Sequence, residues 1–442
     1  MIFAVSSTNP GRLHGRYEAL VLEETFEDVA CTVCACVCDD LRVTVRDGRI
    51  VDYQPFCSRI GDWFQQQNSA VPIAATRSGA EIALEQAVQE AASLLRTARS
   101  PLIYGLSRSS TEGQRAALAL ADRLGATIDT TASEGHAPSI LALQQSGEST
   151  CSLGEIRNRA DLVIYWGSDP LQSQPRHLER YTMRPGMLTP RGRADRTLVV
   201  IDSRQTQTSA EADLVLHVEP QQDFEALWTL RGLLKGVEPA AGTRTGIPLE
   251  QLRDLADRMK TCRCGIIFFG YGLVLQPMGN HNVEALLQLV TELNEFTRFY
   301  ARRMRVAGDV SGADSVLCWQ TGYPFSVSLS RGYPRYNPVE FSAADMLERG
   351  EPDVAVLVGS ASLESFPRAA LDHLKKIPTI LLDHPHSTVA FEPTLRITTA
   401  IYGIHRHGIA YRMDEVPIPL RPLLPSNHPS DGEVLHAIHQ SL

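Results

Sequence analysis

The feature that most constrains this chain is a repeated alternation of short apolar runs with amphipathic segments. Residues 83–95 carry apolar side chains at helical spacing, Pro101-Leu-Ile-Tyr-Gly105 has no polar face, and residues 111–124 are helical again. A run that is apolar on both sides must be covered on both faces, and intervening helices supply the covers. The expected fold is therefore α/β with largely parallel strands. The pattern returns at 160–167, 196–202 and 213–218, at 265–272 ahead of a helix over 282–296, and finally at 353–359, 378–383 and 395–400. Between these last two blocks lies an aromatic, proline-rich excursion, Trp319-Gln-Thr-Gly-Tyr-Pro-Phe325 and Arg331-Gly-Tyr-Pro-Arg-Tyr-Asn-Pro338. Residues 417–425 read as a proline-rich extended tail suited to lie along a partner.

With 442 residues, 43% of them hydrophobic, the chain can build two or three cores. A formal net charge of -9 argues against nucleic acid and membrane surfaces as partners. No apolar segment reaches the roughly 18 residues a membrane helix needs, and the start, Met1-Ile-Phe-Ala-Val5, lacks the basic and apolar regions of a signal peptide. A cytoplasmic location follows as the expectation, and its nine cysteines are then expected to be thiols or metal ligands.

Five of those cysteines precede residue 60. After an irregular lead-in over 1–24 comes Cys31-Thr-Val-Cys34-Ala-Cys36-Val-Cys38-Asp-Asp40, then an alternating segment, an Asp47-Gly48 turn and a returning strand, followed by Cys57. A short loop with three thiols and a fourth returned by a hairpin can wrap a [4Fe-4S] cluster. Four thiolates also suit tetrahedral zinc, and buried free thiols are a third reading. Cys36 fits neither metal scheme and reads as packing.

Two strand ends, Gly167-Ser168-Asp169-Pro170 and Asp202-Ser203-Arg204, place polar loops at the carboxyl edge of a sheet, where nucleotide-like ligands bind in open α/β folds; ordinary strand-to-helix turns would look the same. His136, Arg176, His177, Arg180 and Arg193 are candidates for a polar cavity that would grip a carboxylate, the alternative being salt bridges at the surface or between subunits. No Ser-His-Asp order, HExxH helix, Walker loop or GxGxxG fingerprint is present, so hydrolase, peptidase and nucleotidase readings have no support.

The segment Ser133-Glu134-Gly135-His136-Ala137-Pro138-Ser139 is similar to the active-site segment of molybdopterin oxidoreductases. Longer passages, Cys151-Ser-Leu-Gly-Glu-Ile-Arg-Asn-Arg-Ala-Asp161, Tyr165-Trp-Gly-Ser-Asp-Pro170, Pro175-Arg-His-Leu-Glu-Arg-Tyr181, Trp319-Gln-Thr-Gly322 and the 331–338 run, resemble the B-subunit family of formylmethanofuran dehydrogenases, and most closely its member in the bacterial formyltransferase/hydrolase complex. The resemblance implies a molybdopterin-oxidoreductase-like fold: a small iron-sulfur-type β region over 1–72, a discontinuous α/β domain over 73–134 and 307–442, and an inserted Rossmann-like domain over 135–306. It puts Cys31, Cys34, Cys38 and Cys57 on the [4Fe-4S] ligands, and Gly167, Ser168, Asp169, Asp202 and Arg204 on loops that hold the pterin's nucleotide tails. It puts Gly135 where the metal-ligating cysteine stands. A glycine cannot ligate, so the tungsten or molybdenum pterin is expected to be absent, and Cys151 is expected to pack rather than to replace the ligand. The implied function is a non-redox structural subunit of a complex that turns formyl-tetrahydromethanopterin into formate through a methanofuran-like carrier. Its implied partners are formyltransferase, amidohydrolase-type and β-helix subunits. The alternatives are an active tungsten or molybdenum dehydrogenase and an iron-sulfur electron-transfer module.

Overall fold

The computed structural model describes residues 23–69, 71, 73–305 and 308–442. Most of the lead-in, and the boundary residues 72 and 307, lie outside the described residues. Three sheets organise the chain. The first is antiparallel, in the order Glu23–Val29, Leu41–Arg46, Arg49–Gln54. Its hairpin turns at Asp47 and Gly48, both at positive φ, as an Asp-Gly pair favours. The strand Glu23–Val29 is not legible in the sequence, because five of its seven side chains are exposed.

The second sheet is parallel throughout, in the order Leu214–His217, Thr197–Asp202, Leu162–Trp166, Cys264–Phe269, Arg298–Arg303. Leu162–Trp166 is buried at every residue, and its side chains alternate between two cores. Leu162, Ile164 and Trp166 belong to one core with Leu227, Leu255 and Leu286 of the covering helices, whereas Val163 and Tyr165 belong to another with Leu41 and Val43 of the first sheet. Each fully buried aliphatic side chain contributes about 1.5–3 kcal/mol, so the N-terminal sheet is fastened to this one by a shared core.

The third sheet has nine strands, with Thr127–Thr130, Pro101–Gly105, Val354–Val358, Thr379–Asp383 and Leu395–Thr398 running parallel at its centre. It draws on two separate stretches of chain, before and after the second sheet. In both large sheets the strand order reverses at one point. That switch lies between Leu162–Trp166 and Cys264–Phe269 in one, and between Pro101–Gly105 and Val354–Val358 in the other. Crevices at such points, beyond the carboxyl ends of the strands, are where ligands bind in this architecture.

Two expectations need correction. Trp319-Gln-Thr closes a helix, Val310–Thr321, which ends on Gly322 at φ +84 rather than belonging to an irregular excursion. The 417–425 segment pairs within its own chain: Pro417–Leu420 runs antiparallel to Gly408–Tyr411, and the Leu423 and Leu424 amides donate to the Ile404 carbonyl at 2.7 and 2.8 Å. Among the described residues, no helix is long and apolar enough to cross a membrane.

Candidate functional site

The cysteine loop is closed at its base by the Cys31 amide, which donates to the Cys38 carbonyl at 2.8 Å, and is tightened inside by the Val37 amide on the Cys34 carbonyl at 3.1 Å. Cys57 approaches from the other side, at the entry to the helix Ile60–Gln66. Cys31, Cys34, Cys38 and Cys57 line one cavity together with Arg59 and Arg176. Cys36 also lines it, inside the group rather than packed away from it. Its thiol is within hydrogen-bond reach of the Cys34 and Cys38 sulfurs, which pushes Cys36 up and draws Cys34 down to about 7, with Arg59 and Arg108 adding to the effect on Cys34. Cys38 is lowered by the same thiol and then by Arg180 and Arg176. Burial pushes Cys31 and Cys57 up. Among the described residues, no three His, Cys, Asp or Glu side chains are grouped to hold a metal ion.

Arg176 and Arg180 serve this loop. The Arg176 guanidinium forks onto Asp40 at 2.7 and 2.9 Å, and Arg180 donates to Asp39 at 2.5 Å and also reaches Asp40. His177, between them in sequence, points into aromatic packing instead, with ring centroids 4.8 Å from Phe268 and 5.3 Å from Tyr181. Burial draws it down to about 3. Arg193 is tied to the Arg196 and Glu211 carbonyls and to Asp213. The five candidates therefore do not share one surrounding: Arg176 and Arg180 meet at Asp40 beside the cysteine loop, whereas His177 and Arg193 lie apart from it, because most of the charges had nearer partners along the chain or in that loop.

His136 joins two helices, Ala132–Gly135 and Ala137–Ser146. Its amide donates to the Ala132 carbonyl at 2.7 Å, its carbonyl accepts from Ser139 Oγ at 2.8 Å, and its ring lies 5.2 Å from that of Tyr271. The ring is buried, with Nε2 lacking a partner, and burial together with Arg305 and Arg303 holds it well below the usual histidine range. Arg305 is paired with Asp314 at 2.7 Å; Nε and Nη1 of Arg303 are buried without partners. Tyr271, which follows the strand Cys264–Phe269, was not among the expected site residues. An ideal Cβ built on Gly135 would stand 2.3 Å from its Oη. Cys151 lies elsewhere, just ahead of the helix Leu153–Arg159, among Arg302, Cys264, Glu155 and Asp414, and burial pushes it up to about 12.

The loops expected to hold nucleotide tails are committed to internal contacts. Asp169 accepts from the Gln207 and Thr208 amides and from Thr208 Oγ1, while Asp202 accepts from the Arg204 amide. Ser168 is buried, and Gly167, at φ +55, lets the 270–273 turn approach until the Gly272 amide donates to the Gly167 carbonyl at 2.8 Å. A further cavity sits at the switch point of the nine-stranded sheet, lined by Arg108, Asp309, Asp383, His384, Tyr402 and Asp431 among others. Its signal in the sequence is a pair of strands ending in Gly359-Ser360 and Asp383, a pattern that ordinary turns share.

These features define an α/β protein of paired parallel sheets with a thiol-lined N-terminal cavity. No protein-family model matches the chain. It is 40% identical over 424 residues to the B subunit of the tungsten-containing formylmethanofuran dehydrogenase 2 of Methanocaldococcus jannaschii, spanning 93% of this chain and 97% of that protein. To the protein of the same name from Methanococcus maripaludis it is 37% identical, with the same coverage. The Fhc B subunit of the formyltransferase/hydrolase complex of Methylorubrum extorquens is 28% identical over 291 residues, 65% of this chain and 75% of that one. Among solved structures, a chain of the formyltransferase/hydrolase complex FhcABCD of Methylorubrum extorquens with methylofuran superposes at a TM-score of 0.68 with 25% identity, over 83% of this chain and 98% of that chain. Acetylene hydratase from Pelobacter acetylenicus shares the fold at 0.66 and 13% identity, over 94% and 69%. The chain belongs to the B-subunit family of formylmethanofuran dehydrogenases. Within it, the identities run opposite to the expected order, the archaeal dehydrogenase subunits standing nearer than the Fhc one.

Proposed function

We propose that this chain is a non-redox structural subunit of a formyltransferase/hydrolase complex in one-carbon metabolism. In that complex other subunits carry the formyl group from tetrahydromethanopterin to a methanofuran-like carrier and release it as formate. The observation that carries the reading is at position 135. The residue there has no side chain, and the space a ligating side chain would need is taken by Tyr271. The residues present therefore do not fit a cysteine-ligated tungsten or molybdenum, and no step is assigned to that group. Family membership and the fold shared with the FhcABCD chain support assembly with formyltransferase, amidohydrolase-type and β-helix subunits. A cytoplasmic location accords with this assignment.

The thiol-lined cavity suits a [4Fe-4S] cluster on Cys31, Cys34, Cys38 and Cys57, which would supply one-electron transfer when bound. Arg176 and Arg180 hold the loop through Asp39 and Asp40 and set positive charge beside the thiolates. A second reading, an active tungsten or molybdenum dehydrogenase, draws on the 40% identity to a tungsten-containing relative. It requires a ligand from outside the 133–139 segment.

Expression with the neighbouring subunits, followed by affinity purification and assays of formyl transfer and of viologen-linked formate oxidation, separates the two. The structural reading expects co-purification, formyl transfer and no viologen reduction. Viologen reduction dependent on this chain would replace it with the second reading.

A further inference from the structure

Nothing in the conformation of residue 135 calls for glycine, since it ends a helix and its φ is not left-handed. What calls for it is space. A Cβ there would lie 2.3 Å from Tyr271 Oη, 2.7 Å from Cζ and 2.8 Å from Cε1, each inside real contact distance. The ring cannot escape by a backbone shift. Gly270, Gly272 and Gly167 interlock so closely that a Cβ on any of them would meet neighbouring backbone within 2.5 to 2.8 Å, and the turn is pinned by the Gly272 amide on Gly167 O at 2.8 Å and the Gly270 amide on Trp166 O at 3.2 Å. Only rotation of the side chain is left, and Tyr271 has an open side, being 37% exposed.

We propose that Tyr271 is a plug for the ligand position: its phenol, beside the His136 ring, fills the space through which a side chain at 135 would reach. Gly135 and Tyr271 then form one unit, and a cysteine cannot be restored at 135 while the ring points inward. Burial pushes the phenol up to about 12, so what it presents is a neutral hydroxyl. The proposal rests on the reading that this chain carries no tungsten or molybdenum at that position.

The test is a double-mutant cycle on the purified complex, with Gly135→Cys, Tyr271→Ala and the two combined, read as melting temperature. Gly135→Cys is expected to lower Tm by about 2 °C or more, and to lower it by less than half as much when made in the Tyr271→Ala background, because residues sharing one space are not additive. Equal losses in the two backgrounds overturn the plug. Should Gly135→Cys fail to accumulate, Gly135→Ala brings the same Cβ and runs the same cycle, with the same two outcomes. The cycle and the parent reading fail separately: additive losses remove the plug and leave the structural role standing, whereas tungsten in the unmodified complex removes that role whatever the cycle shows.

Discussion

The cysteine loop and the 133–139 segment are the two places where the sequence raises the question of a metal, and the structure builds them differently. The loop keeps four thiols around one cavity, a fifth within hydrogen-bond reach of two of them, and arginines fastened by Asp39 and Asp40. The 133–139 segment has its helix junction and its buried histidine, but Gly135 offers no donor and the place of its Cβ is occupied by the Tyr271 ring. The lesson is that a helix junction and its buried histidine can stand without any side chain at position 135. Backbone hydrogen bonds and packing hold the scaffold, and they do not depend on a single side chain.

Four substitutions break or sharpen this contrast, beginning with the largest effect. Cys34→Ser is expected to abolish iron binding and the broad visible absorbance of the anaerobically purified chain; unchanged iron would mean that the loop is as vestigial as the segment. Arg176→Ala removes a side chain 4% exposed that forks onto Asp40, which keeps Arg180 as a partner, and is expected to cost about 2 kcal/mol in denaturant unfolding. A loss near zero would show that the loop stands without its arginines. Gly167→Ala places a Cβ 2.5 Å from the Leu273 amide at φ +55, and about 2 kcal/mol is expected from the same measurement. That result tests whether the turn bearing Tyr271 is as rigid as its contacts indicate.

The smallest effect concerns Glu134, whose carboxyl burial pushes up to about 7, with Asp129, Asp345 and Glu348 adding to it. The folded chain then keeps a proton that the unfolded chain releases near 4.5, so this group's stabilisation is full below that pH and is lost as the pH rises to about 7. Glu134→Gln is expected to flatten the fall of Tm across that window. An unaltered slope would mean that the carboxyl is better solvated than its burial implies.

Much of the fold was legible because its central strands are apolar on both faces; Pro101–Gly105, Leu162–Trp166 and Val354–Val358 are buried along their whole length. Strands that are buried yet polar were not. Thr127–Thr130 is wholly buried, but its Asp129 is satisfied by Ser133, by Ser326 and by the Ala343 amide, partners that only the folded chain assembles. Arg298–Arg303 drew no strand expectation, since three of its six residues are arginines, although Arg302 and Arg303 are buried at the sheet end. In the site, the cysteines that line one cavity could be seen because most of them are close together in sequence. The Gly135–Tyr271 pair could not, since nothing near residue 135 in sequence announces which distant ring fills its place.

Metal analysis of one anaerobic preparation of the intact complex tests the contrast most directly, with iron, sulfide, tungsten, molybdenum and pterin measured on the same sample. The account predicts about four iron atoms per copy of this chain, with tungsten, molybdenum and pterin at background. Tungsten or molybdenum approaching one per chain, together with pterin, would contradict it.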